Sequence, residues 1–240
     1  MARRTAQLEQ ANRELQAFAY SVAHDLRGSL ISINGFTHLI ERSPGNSLQE
    51  VARRAHAVGR IRTVVHQMDE LTGGLLSLAQ ISRVGLHWPQ LDLGELAARV
   101  HERLAEREPD RVVEFGTQAG LLATCDRVLM TQLLDNLIGN ARKFTARNPE
   151  PRITLMLEVD AKGQEYFVVQ DNGVSFDAAQ TPRLFSAFQR FYKAEEFPGT
   201  GIGLATVHRI ITRHDGRIWA KSEPGKGAAF CLSLGIPPVA

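Results

Sequence analysis

Apolar residues recur at Leu8, Ala11, Leu15, Phe18 and Val22, in alternating steps of three and four. That spacing holds one stripe on one side of a helix and predicts a helical segment over residues 5–42 with a heptad seam. Leu26 follows Val22 after a second consecutive step of four, and Leu30, Ile33 and Ile40 continue the stripe with Thr37 in the seam. The extra step is a stutter, which locally unwinds a coiled coil, and it falls across His24. The cluster "SPGNS" at 43–47 predicts a turn. A second run follows at Leu48, Val51, Ala55, Val58, Ile61, Val65, Met68, Leu71, Leu75, Leu78 and Ile81. Two helices of about 35 residues are each about 52 Å long at the usual rise. One hairpin of that length cannot bury its whole stripe; two hairpins packed as a dimeric four-helix bundle can.

The texture changes after Arg83. "VGLHWPQLDL" reads as a linker entering a short strand, residues 92–108 as a helix, and "RVVEFG" at 111–116 as a strand. Residues 126–146 read as a helix with Asp126 as N-cap. Residues 152–159 and 165–171 alternate as strands joined at "DAKGQ", and 201–214 read as a helix. "GRIWAKS" and "GAAFCLSL" close as a hairpin through "EPGKG". Strands in hairpins with helices between them predict an α/β sandwich, one mixed sheet with helices on one face. The overall class is therefore α+β, with a helical hairpin over 1–84 and a sandwich over 85–240.

Composition narrows the function. Of 240 residues, 43% are hydrophobic and 22% charged, as in a globular protein. A net charge of +2 without a Lys/Arg run argues against nucleic-acid binding. Cys125 and Cys231 have no metal-site spacing and read as reduced core thiols. Apolar runs fall short of the roughly 18 residues of a membrane span. The polar, helical start is no signal peptide. It opens in mid-helix without a capping box, which suggests a cytosolic piece of something longer.

Four stretches carry candidate chemistry. In "SVAHDLRGSL" (21–30), His24 points away from the seam and shares a face with Arg27 and Gly28. Asp25 can hold the proton of one imidazole nitrogen while the other attacks, and Arg27 can hold phosphoryl oxygens. Gly28-Ser29 in mid-helix costs stability, about 1 kcal/mol for the glycine against alanine. In "LLDNLIGNARKFT" (133–145), Asn136, Asn140 and Lys143 share one helical face; amide oxygens can ligate Mg²⁺ and Lys can approach phosphates. In "VVQDNGVSFD" (168–177), Asp171 offers acceptors that suit the amino group of adenine. In "PGTGIGLATV" (198–207), Gly199, Gly201 and Gly203 precede a helix whose backbone N–H groups can cradle phosphates. Each stretch also has an ordinary reading: a surface histidine, a polar helix face, a turn, a helix start. Between Asn172 and Pro198 lie Phe176, Phe185, Phe188, Phe191, Tyr192 and Phe197, which reads as a lid that packs down.

Taken in order, His-Asp-x-Arg, Asn-x-x-x-Asn-Ala-x-Lys, Asp-x-Gly, "LFSAFQRF" and Gly-Thr-Gly-Ile-Gly-Leu strongly resemble a bacterial sensor histidine kinase over about residues 10–235. The wording of "FAYSVAHDLR" and "EFPGTGIGLATV" resembles the phytochrome-linked branch. The resemblance implies that 85–240 is an ATP-binding domain of the gyrase, chaperone and histidine-kinase type. It implies ATP-dependent phosphorylation of His24, then transfer to an aspartate on the receiver domain of a response regulator. Asp25 is then the neighbouring base. Asn140 holds Mg²⁺ with Asn136 beside it, and Lys143 contacts phosphates. Asp171 binds adenine, and Gly173, Gly199, Gly201 and Gly203 shape the pocket and lid hinges. Arg190 is a candidate to reach the γ-phosphate. The resemblance further implies a homodimer in the bacterial cytoplasm, with membrane contact only through a portion absent from this chain.

Three positions depart from the family pattern. Ser29 stands where proline is usual, Ser175 replaces the second adenine-box glycine, and Gly28 stands where phosphatase-active members carry Thr or Asn. Gly28 implies weak dephosphorylation of the partner. Gly28-Ser29 is expected to serve as a bending point in place of the proline. Ser175 raises the question of whether a side chain there crowds the nucleotide. Two other readings stay open: a related superfamily ATPase, and a degenerate signalling scaffold.

Overall fold

The computed structural model describes residues 22–23, 26–43, 45, 47–81, 85–177, 181, 183–189, 191–192, 196–197 and 199–236. The chain divides into two compact units, one ending at Gly73 and the other beginning at Gly74. Among the described residues, no helix is long and apolar enough to cross a membrane.

The first unit contains helix α1 (residues 26–41) and most of helix α2 (Leu48–Ile81). A capping box starts α2. The Glu50 N–H donates to Ser47 Oγ, and both Ser47 N and Oγ donate to Glu50 Oε2. Arg54 Nη1 reaches back to Ser43 O at 3.1 Å, and the Arg60 guanidinium lies 5.8 Å from the Phe36 ring, so the two helices return on one another. Gly28 and Ser29 continue the helix without a break.

The seam differs from the expected stripe. Ala57 and Val64 are buried and Ile61 and Met68 half-buried, whereas Leu48, Val51, Ala55, Val58 and Val65 are exposed. On α1, Leu26, Ile33, Phe36 and Ile40 are half-buried, while Leu30, Ile31 and Leu39 are exposed. The reason is geometric: two helices present one stripe each to one another, and a second apolar stripe stays open. The seam positions Leu8, Ala11, Leu15 and Phe18 lie outside the described residues.

The second unit holds a five-stranded sheet in the order β2-β4-β5-β7-β6. Its strands are β2 (Glu114–Thr117), β4 (Arg152–Val159), β5 (Glu165–Asp171), β6 (Arg217–Ser222) and β7 (Ala228–Ser233). β2 pairs parallel with β4 and the remaining pairs are antiparallel, so the sheet is mixed. A small antiparallel pair, β1 (Gln90–Asp92) with β3 (Leu122–Thr124), stands apart. Helices α3 (Leu93–Ala105), α4 (Arg127–Phe144) and α5 (Gly203–Arg213) pack on one sheet face, where Ile153, Leu155, Phe167, Val169, Phe230 and Leu232 meet them. The other face carries a smaller cluster of Tyr166, Val168 and Cys231 with Met156 and Trp219. Ile81, at the end of α2 and 2% exposed, is part of the main core.

Local signals set the helix starts. The Asp92 carboxylate accepts from Gly94 N and Glu95 N to cap α3, and that of Asp126 accepts from Val128 N and Leu129 N to cap α4. Asp126 also accepts from His87 N. Its own N–H donates to Nε2 of buried His214, so His214 Nδ1 carries the proton and donates to Ile210 O at 2.8 Å. This junction joins the linker, the start of α4 and the end of α5. Burial pushes the Asp126 pKa up, but the backbone N–H bonds from Leu129, His87 and Val128, with a further contribution from His214, hold the group below the usual carboxylate range.

Candidate functional site

Three stretches of the second unit converge on the C-terminal half of α4: the loop after Asp171, the aromatic stretch and the glycine-rich segment. Leu133, Leu134, Leu137, Ile138 and Ala141 turn one side of that helix into the core. Asn136, Asn140 and Lys143 consequently occupy another side and are half-buried. The glycine-rich segment lies along this polar side. A Cβ on Gly203 would stand 2.6 Å from Asn136 Oδ1, so the missing side chain lets the segment approach that amide closely. Gly199 lies against Lys143 Nζ. Gly201 O accepts from Phe188 N at 2.9 Å, tying the segment to the preceding aromatic stretch.

Asp171 ends β5 and turns toward the helix side of the sheet. It is only 4% exposed. Burial pushes its pKa up to about 6, against the pull of N–H bonds from Gly173 and Ala228. Gly173 N donates to Asp171 Oδ1 at 2.8 Å. A Cβ on Gly173 would sit 2.5 Å from Phe144 O, and Val174 N donates to that oxygen at 3.1 Å. The loop after Asp171 is thus stitched to the end of α4. Asn172 fixes the turn from the other side, accepting from Arg152 N and donating to Glu150 O.

Ser175 fits without strain. Among the described non-glycine residues, only Phe188 and Asp215 have positive φ. The Ser175 side chain points to the β6–β7 turn and accepts from Gly225 N at 3.3 Å.

Aromatic rings close the site. Phe144 lies 5.6 Å from Tyr192 and 5.0 Å from Phe197, and Tyr192 and Phe197 lie 5.2 Å apart. Lys143 Nζ stands 4.4 Å from the Phe144 ring. Phe197 is buried, and Phe176, Phe185 and Phe191 pack against the core, so the aromatic stretch lies down as the sequence suggested. Phe144 was missed as a site residue. Its signal was its place directly after Lys143, where the helix ends and its backbone oxygen meets the Asp171 loop.

The structure therefore brings together Asn136, Asn140, Lys143, Asp171, Gly173, Gly199, Gly201 and Gly203. Arg27 is exposed on α1 in the first unit. His24, Asp25 and Arg190 lie outside the described residues. Of the other histidines, buried His214 is satisfied, and His101 stacks on Phe115 with ring centroids 4.5 Å apart.

A buried acceptor beside a polar helix face and a glycine-rich helix start is an arrangement suited to a nucleotide. Residues 125–238 match the family described as histidine kinase-, DNA gyrase B-, and HSP90-like ATPase. The phytochrome-like protein Cph1 of Synechocystis sp. is 32% identical over 232 residues, which are 95% of this chain and 30% of Cph1. The methanogenesis regulatory histidine kinase FilI of Methanothrix harundinacea is 31% identical over 238 residues, 98% of this chain and 26% of FilI. The chain belongs to the sensor histidine kinases. It spans less than a third of the length of either relative. In a solved complex of the histidine kinase ThkA with the response regulator protein TrrA, ThkA shares the fold of this chain. The TM-score is 0.69 at 20% identity, covering 91% of this chain and 60% of that one.

Proposed function

We propose that the chain is the phosphotransfer and ATP-binding core of a homodimeric sensor histidine kinase. It moves the γ-phosphoryl group of ATP to His24 and then to an aspartate of a response regulator. The observation that carries this reading is the convergence of the Asp171 carboxylate, the Asn136–Asn140–Lys143 face and the Gly199–Gly203 segment at the end of α4.

Asp171 accepts the adenine amino group, and the Phe144 ring gives the base a flat apolar partner. Lys143 and the N–H groups at the start of α5 neutralise phosphate charge. Among the described residues, no group of three His, Cys, Asp or Glu could hold a metal. The fitting donors are the amide oxygens of Asn140 and Asn136, hard ligands that suit Mg²⁺ when phosphate oxygens complete its shell. Bound there, Mg²⁺ supplies charge neutralisation. The imidazole of His24 attacks phosphorus, the bond to the bridging oxygen of ADP breaks, and ADP leaves with the electron pair. Asp25 orients the imidazole and takes up its proton. Arg27 and Arg190 are the candidates to hold the moving phosphoryl oxygens. Catalysis of this kind is mainly positioning and charge.

The test is incubation of the full chain with γ-labelled Mg-ATP. Acid-labile, base-stable label on the protein, absent in His24→Gln, is the expected result. Steady phosphate release without labelled protein would instead mark a superfamily ATPase, and neither signal would mark a scaffold.

A further inference from the structure

The aromatic trio contains a residue that no step above uses. Tyr192 packs its ring against Phe144 and Phe197. Its hydroxyl donates to the backbone oxygen of Ser175. That oxygen belongs to the loop that follows Asp171, and the loop is anchored twice more. Ser175 Oγ accepts from Gly225 N, and Phe176 N donates to Ser222 Oγ at 3.0 Å. The hydroxyl therefore meets an acceptor that is held in place. Burial raises the Tyr192 pKa, and the charges of Glu196 and Asp171 raise it further, so the phenol stands within electrostatic reach of the base-binding carboxylate.

An adenine ring makes two demands on this site: an apolar face to lie against and an acceptor for its amino group. Tyr192 already makes the same two kinds of contact with the same elements, the Phe144 ring and the loop from Asp171 to Ser175. We propose that Tyr192 is an internal competitor for the nucleotide base, latched by its hydroxyl to Ser175, and that binding requires this latch to open. This rests on the reading that Asp171 receives adenine. Release of Tyr192 also frees its neighbour Phe197, which precedes the Gly199–Gly203 segment, so base entry and movement of the phosphate-facing glycines are coupled. Ser175 suits this role better than the usual glycine because its side chain fixes the accepting carbonyl to the β6–β7 turn.

Tyr192→Phe keeps the ring and deletes only the latch. A competitor that must leave first lowers apparent affinity by the fraction of open molecules, and the effect falls on association. The test measures Mg-ADP binding and its kinetics with the full chain, Tyr192→Phe and Asp171→Asn. Tyr192→Phe is expected to bind about three- to tenfold tighter, the scale of one net hydrogen bond. The gain should lie in a faster association rate with dissociation unchanged. Unchanged or weaker binding, or a gain through slower dissociation, overturns the latch when wild type binds in an Asp171-dependent way. No ADP binding by wild type, or binding indifferent to Asp171→Asn, overturns the nucleotide-site reading itself and the latch with it.

Discussion

Asp171 shows the cost of burying a carboxylate at the end of a strand. Its pKa stands near 6 in the folded chain against an ordinary 3.8, because burial disfavours the ionised form more than Gly173 and Ala228 favour it. The folded chain holds this proton more tightly than the unfolded one. The group thus favours folding most below about pH 4, and that contribution is lost as pH rises through 6. Asp171→Asn should therefore raise the melting temperature at pH 7.5, by a free energy of about 1–3 kcal/mol, while removing adenine binding. In the wild type protonation turns one Asp171 oxygen into a donor and weakens the other as an acceptor, so ADP affinity should fall as pH drops below 6, which titration between pH 5 and 7.5 will show. The placement of Asp171, Asn136, Asn140 and Lys143 was legible because each sits in a short motif on a regular element. The Tyr192–Ser175 bond was not, because it joins residues of a stretch with no period to read.

Among the elements, β4 and β5 were legible to the residue, since alternating apolar positions bounded by a turn leave one register. β3 was not, because three residues carry no pattern. β2 begins at Glu114 rather than Arg111, whose side chain is drawn to Glu108 and Thr145. In α2 the steps of three and four fit two neighbouring stripes about equally well, and only the partner helix selects between them. α1 runs unbroken through Gly28, where an added Cβ would meet nothing within 4 Å. No packing contact explains the glycine. Gly28→Ala should stabilise the helix by about 1 kcal/mol in thermal melts. A bending role predicts that the same variant phosphorylates His24 more slowly; an unchanged rate would remove that role.

At the scale of the whole molecule, the open stripe is the main unfinished feature. Leu30, Ile31 and Leu39 on α1 and Val51, Val58 and Val65 on α2 are all exposed. Apolar residues in such a row on a long hairpin are what a second copy would cover to complete a four-helix bundle. If a second copy covers this stripe, the unaltered chain should sediment as a dimer, and Val58→Asp with Val65→Asp, both facing outward, should stay folded yet sediment as a monomer at the same concentration. A variant that still sediments as the dimer would locate the interface elsewhere.

The tail of α2 has a practical consequence. Ile81 is a core residue of the nucleotide-binding unit, Arg213 of α5 donates to its backbone oxygen, and a Cβ on Gly74 would stand 3.2 Å from Ile202 between the two site glycines. Trimming the protein at the linker, with a first residue at 85, would pull a plug from the interior and leave a void of the kind that costs about 2–5 kcal/mol. The shortest piece that keeps its interior filled carries the last two turns of a helix whose other turns belong to the hairpin.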